Sequence, residues 1–148
     1  LASLIDFGIA FLVLIGFILF YGVHPGLAVL TLPLFVILVV MAAFGVSLWL
    51  AAFNVLYGDV RYVLPFLTQI WMFATPIIYP VSAVPDSWRL LFSLNPMVGV
   101  VEGFRWALLG STSGIDAMFG VSVLAVAGVL GGGVLYFQSV QQTFADVI

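Results

Sequence analysis

Between Asp6 and Asp59 the sequence contains no Asp, Glu, Lys or Arg, and only His24-Pro25-Gly26 interrupts the apolar run. A stretch of that length cannot form the surface of a water-soluble domain, because nothing in it pays the cost of meeting water. The whole chain of 148 residues is 65% apolar and only 6% charged, where a soluble domain carries roughly 25% charge. Three arginines, no lysine and six acids exclude a soluble globular domain, a disordered chain and a nucleic-acid binder, which needs a basic face. The solvent implied is lipid, and the continuous apolar runs imply an all-α polytopic membrane protein.

The charges and prolines divide the chain into four expected membrane spans. These cover about residues 4–23, 27–53, 63–84 and 117–137. Phe20 and Tyr21 close the first span with rings suited to the membrane interface. The third holds Pro65, Pro76 and Pro80. It should be kinked or broken near Pro76, since proline removes a backbone donor and clashes one turn back. Lipid tolerates such a break only where protein or a water-filled cavity satisfies the freed carbonyls, so this span is a candidate to line a conduit. Residues 54–62 read as a short polar loop. Residues 85–116 read as two short helices forming a hairpin on one membrane face, the second starting at Asn95-Pro96 as N-cap and first-turn proline. Asp6 and Asp116 mark water boundaries at span ends, and the tail from Gln138 is polar. The opening at Leu1, inside an apolar stretch, reads as the C-terminal part of a longer protein.

Little in the sequence can do covalent chemistry. Cysteine is absent, so disulfides, thiolate metal sites and thiol nucleophiles are excluded. No carboxylate lies mid-span, and the one histidine, His24, has no acid beside it, so neither a metal cluster nor a proton relay is expected. A phosphate-binding loop needs a lysine, and the chain has none. Any nucleotide-driven work therefore requires another subunit. Ala43, Ser47 and Ala51 in the second span and Gly128 and Gly132 in the fourth recur at packing intervals, serving either ordinary helix contacts or a subunit interface. Phe66, Trp71, Phe73 and Tyr79 either pack against helices and lipid or face a conduit, where flat rings suit sugar faces.

Several motifs recur in order. Asn54-Val55-Leu56-Tyr57-Gly58-Asp59-Val60-Arg61-Tyr62 is followed by Pro65-Phe66, Gln69-Ile70-Trp71 and Thr75-Pro76-Ile77-Ile78-Tyr79-Pro80. Val84-Pro85, Trp88-Arg89, Leu94-Asn95-Pro96-Met97, the run from Glu102 to Gly110, and the terminal Phe144-Ala145-Asp146-Val147-Ile148 complete the set. Over essentially its whole length the chain resembles the membrane subunit of ABC-type exporters of polysaccharides and polyol phosphates, as the last four of six membrane helices. Two positions depart from that pattern: Gly58 stands where a basic residue is common, and Gln141-Gln142 where a charged pair is usual.

The resemblance implies a multi-pass permease of the cytoplasmic (inner) membrane, working as a homodimer with cytoplasmic ATP-binding subunits that hold the ATP and magnesium. Its cargo would be a lipid-linked glycan of the O-antigen, capsule or teichoic acid type. Residues 54–62 would be cytoplasmic, with Asn54, Tyr57, Asp59, Arg61 and Tyr62 coupling to the ATPase. The hairpin would be extracytoplasmic and gate the exit through Trp88, Arg89, Asn95, Pro96, Glu102, Arg105 and Trp106. For each of these, a plain structural role as cap, interface anchor or ion pair is the alternative. An exporter of a small drug or lipid, a membrane-embedded transferase or hydrolase, and a passive channel are the rival readings. Counting arginines favours the opposite orientation, with Arg61 against Arg89 and Arg105, but Asp86 and Glu102 precede the latter two by three residues.

Overall fold

The computed structural model describes residues 2–24, 26–110 and 117–145, with side chains to residue 142. Pro25 of the expected turn, the 111–116 end of the expected hairpin with its boundary residue Asp116, and residues 146–148 of the tail motif lie outside the described residues. Among those described there are six α-helices and no strand: α1 (Ala2–Phe20), α2 (Leu32–Tyr57), α3 (Val60–Ala74), α4 (Asp86–Ser93), α5 (Pro96–Leu109) and α6 (Ala117–Ala145). Short 3₁₀ turns at Leu27–Thr31 and Val81–Ala83 precede α2 and α4. Three stretches are long and apolar enough to cross a membrane: Ala2–Phe20, Leu27–Tyr57 and Ala117–Gln142.

The frame is the pair α2 and α6. Phe35 meets Phe119, Gly45 meets Leu130, and Trp49 meets Tyr136. Contacts advance along both helices together, so the two run parallel. A parallel pair requires the chain between them to travel back the full distance. That return is made by α3 and the irregular residues after it.

Close backbone approach sets this pair, as expected where lipid removes any hydrophobic drive between helices. A Cβ on Gly45 would lie 2.8 Å from the Leu130 Cα, and one on Gly133 would lie 2.8 Å from the Gly45 carbonyl oxygen. The Trp49 indole donates to the Val129 carbonyl at 3.0 Å and its ring stacks on Tyr136 at 4.9 Å. The small residues singled out by spacing fare differently. Gly132 meets Trp49, but Gly128 has open space beside it, and Ala43, Ser47 and Ala51 are exposed. At the other end of the pair, the fully buried Phe35 ring sits among Phe104 and Phe119, with Val100, Ala107, Leu108 and Val126 in the same cluster. α1 is exposed along almost its whole length and joins this cluster through Ile18, with Phe7 and Phe11 against Phe104.

Several expected boundaries move. The second helix does not stop at residue 53 but continues through Asn54 to Tyr57, because no helix breaker appears until Gly58, whose φ of +61° and backbone bond to the Asn54 carbonyl end it. The positive φ also gives a physical reason for glycine at a position where the resemblance leads one to expect a basic residue. The expected loop 54–62 is thereby reduced to Gly58 and Asp59, since α3 begins at Val60. Pro65 does not interrupt α3: it lies near the helix start, where the carbonyl it frees is that of Arg61 at the exposed end. The third span is not a helix over 63–84. α3 stops at Ala74 because Thr75 precedes Pro76 and is driven to extended geometry, with φ −95° and ψ 129°. Its 15 residues make a rod of about 22 Å, short of the ~30 Å hydrocarbon layer. α6 overshoots the expected 117–137 span, since Gln138, Gln141 and Gln142 are adequate helix formers outside lipid.

Candidate functional site

The break after α3 frees backbone carbonyls, and side chains of α4 and α5 receive them. The Arg105 guanidinium donates to the Ile77 carbonyl at 2.8 Å, reaches the Tyr79 carbonyl at 3.4 Å, and pairs with Glu102 at 2.6 Å. Arg89 does the same one loop later, donating to the carbonyls of Val84 at 3.1 Å and Ser82 at 3.3 Å while pairing with Asp86 at 2.7 Å. The acid three residues earlier thus holds each arginine while its remaining donors cap irregular backbone.

The turn between α4 and α5 is held on two sides. Asn95 caps α5, its Oδ1 accepting from the Met97 N–H at 3.1 Å and from the Trp71 indole at 3.0 Å. Its Nδ2 donates to the Thr75 hydroxyl at 2.9 Å, which in turn donates to the Trp71 carbonyl at 3.0 Å. On the other side, the buried Ser122 hydroxyl of α6 donates to the Ser93 carbonyl at 3.0 Å and accepts from the Gly99 N–H at 3.1 Å. Glycine at 99 makes room for this bond, since a Cβ there would collide with the Ser122 Cβ.

The residues nominated from sequence therefore separate into two groups at opposite ends. Ser122, beside the hairpin, and Tyr136, beside the α2 C-terminus, are separated along α6 by about 21 Å of helix. At the hairpin end, Asn95, Pro96, Glu102, Arg105, Tyr79 and Trp71 come together in one network or its immediate surroundings. Trp106 is half-buried against the Phe35 cluster, and Trp88 is exposed on α4. At the opposite end Tyr57, Asp59, Arg61 and Tyr62 are exposed around the α2–α3 junction, with no ion pair at Arg61 among the described residues. Asn54 is half-buried, its Oδ1 enclosed and unpartnered among the described residues. The four aromatics do not converge. Phe66 and Phe73 are exposed, Trp71 is turned to the hairpin, and the Tyr79 hydroxyl is occupied by the Phe73 carbonyl at 3.0 Å.

Between α2 and α3 runs an open apolar cleft of about 660 Å³, lined by Val39, Ala43 and Val46 on one side and Leu64, Leu67 and Trp71 on the other. The polar groups bordering it are internally satisfied: the Thr68 hydroxyl donates to its own Leu64 carbonyl, and Trp71 and Thr75 are committed to Asn95. Thr75, Ser93, Gly99 and Ser122 escape a reading of the sequence. Each is there only a small polar residue or glycine among apolar neighbours, which in lipid marks helix packing as often as a bond. No group of three or more potential metal-ligating side chains is found among the described residues.

An O-antigen export system permease protein RfbA from Myxococcus xanthus is 32% identical over 87 residues, covering 57% of this chain and 34% of its own length. Two proteins of the same name from Klebsiella pneumoniae are 24% and 23% identical over 139 residues, covering 92% of this chain and 52% of theirs. The chain thus spans about half the length, or less, of the curated relatives it matches. No solved structure matches. The description of the ABC-2 type transporters fits residues 2–109, and the chain belongs to that family.

Proposed function

We propose that this chain is the membrane-embedded part of the permease subunit of an ATP-driven exporter, moving a lipid-linked polysaccharide of the O-antigen type across the cytoplasmic membrane. It catalyses no covalent step itself. ATP and magnesium are held by a cytoplasmic ATP-binding partner, and two permease copies surround the path. The observation that carries the reading is the difference between the two ends. One end exposes Tyr57, Asp59, Arg61 and Tyr62 around a two-residue junction, a surface suited to a polar partner. The other end gathers a broken span under a helical hairpin, the arrangement expected where irregular backbone borders a passage. The relatives' names favour a glycan over a small drug or lipid as cargo.

In this reading the ATPase drives transport by binding two conformations of the permease with different affinity. In the full-length chain with its ATP-binding partner, Asp59→Ala combined with Arg61→Ala is expected to reduce export by about ten-fold or more, a loss of ~1.4 kcal/mol in coupling. Glycan should accumulate inside while the protein remains in the membrane at its usual level. Unchanged export, or uphill transport by the permease without an ATPase, would overturn the proposal.

The orientation has its own test. Two of the three arginines are folded into the hairpin, so loop charge does not decide it. Cysteines introduced at Tyr62 and at Leu90, both exposed, should react with an impermeant thiol reagent from opposite sides, Tyr62→Cys from the cytoplasm. Reaction from the same side would refute the two-ended topology.

A further inference from the structure

We propose that Trp71 and Thr75 are positioning residues that couple α3 to the turn between α4 and α5, delivering displacement at the Gly58–Asp59 junction to that turn through Asn95. The inference rests on the exporter reading above and adds the route by which the two ends communicate.

The elements are held with very unequal strength. α2 and α6 approach at backbone distance and carry the Trp49–Val129 bond. α3, by contrast, has no buried residue and faces α2 across the apolar cleft, where no described side chain of one helix bonds the other. Apolar contact is non-directional, so α3 can slide along α2 without breaking a specific bond. Its far end is different. The Trp71 indole has only a donor, which fixes Oδ1 of Asn95 toward it and leaves Nδ2 for Thr75. Two side chains one helical turn apart thereby grip one amide, and that amide is the cap of α5.

The hairpin turn thus has a fixed side and a movable side. Ser122, on the immobile α6, bonds Ser93 and Gly99 and acts as fulcrum. Asn95, on the other side of the same turn, is joined to α3. A rigid α3 reaching from the exposed junction to this point forms the lever arm. With the grip removed, what remains is the Arg105 hold on the Ile77 and Tyr79 carbonyls, which acts on the irregular segment beyond α3 and not on the helix itself.

Trp71→Phe deletes only the indole donor and Thr75→Val only the hydroxyl, and both leave the Asn95 cap of α5 in place. The reporter is a Leu90→Cys substitution on α4, exposed in the structure, in an otherwise cysteine-free full-length chain assembled with its ATP-binding partner in vesicles. The rate of thiol labelling is measured with and without a non-hydrolysable ATP analogue. The unmodified complex should show a nucleotide-dependent change in rate. In the double variant that change should shrink about ten-fold, as expected for two lost hydrogen bonds, while ATP hydrolysis is retained. Trp71→Phe alone should show a partial loss, and Thr75→Ser, which restores the hydroxyl, should respond like the unmodified complex. A full response in the double variant would overturn the lever while leaving the exporter reading intact. No nucleotide response in the unmodified complex would overturn both.

Discussion

Replacing Arg105 with leucine is expected to destabilise the protein by about 2–3 kcal/mol and to stop export by the complex. One guanidinium here serves three acceptors: Glu102 and the carbonyls of Ile77 and Tyr79. Those carbonyls lie past the end of α3, where no helical donor follows. Leucine would leave them bare and strand a carboxylate whose side chain is only 18% exposed. The residual exposure of both partners places the cost at or below the low end of the ~3–5 kcal/mol seen when a fully buried pair is broken. Arg105→Lys would keep the charge but not the fork that spans two directions, so an intermediate loss of about 1 kcal/mol or more is expected. Arg105→Leu with Glu102→Gln should recover part of the leucine loss by removing the stranded charge. Arg89→Leu is the contrast: its partner Asp86 is 87% exposed, so the expected cost is about 1 kcal/mol or less. Thermal unfolding in detergent, followed by tryptophan fluorescence, ranks the four variants. Equal losses for Arg105→Leu and Arg89→Leu would show that the first clasp contributes no more than a surface pair.

Local patterns were readable where one helical turn contains both partners. The i,i+3 acids before Arg89 and Arg105, and the Asn95-Pro96 start of α5, are visible in the sequence and appear as bonds. The break near Pro76 is likewise local, because proline constrains the residue before it, and of the expected kink or break the structure has the break. α2 runs past the expected residue 53 because polarity begins at Asn54 whereas helix geometry ends only at Gly58; hydropathy reports lipid and glycine reports backbone. Bonds between distant segments left no such trace. Thr75 and Ser122 are buried polar residues with hydrogen-bond partners about twenty or more positions away along the chain. Nothing in a single sequence pairs them, so the sequence leaves the Trp71 ring open between helix packing and a conduit and does not show that its indole is bonded to the hairpin.

Glycine spacing alone does not locate the tightest helix approach, and the difference is measurable. Gly45→Val is expected to cost about 3 kcal/mol, at the upper end of ordinary overpacking. The first added carbon would lie 2.8 Å from the Leu130 Cα and 2.9 Å from its nitrogen. The obstacle is the backbone of α6, which cannot rotate aside as a side chain can. The helices must separate by several tenths of an ångström, and that separation strains the Trp49–Val129 bond and the Trp49–Tyr136 stack, which depend on the same crossing. Gly133→Ala should fail through the reciprocal contact, its Cβ meeting the Gly45 carbonyl oxygen at 2.8 Å. Gly128, which spacing marks for either helix contact or a subunit interface, has nothing within 4 Å in the single chain. Gly128→Ala should therefore be neutral or gain up to ~1 kcal/mol of helix propensity. Unfolding midpoints of the three variants in one detergent test this. If Gly128→Ala is as damaging as Gly133→Ala, its face is occupied in the assembled protein and the crossing between α2 and α6 is not the tightest contact of the α6 helix.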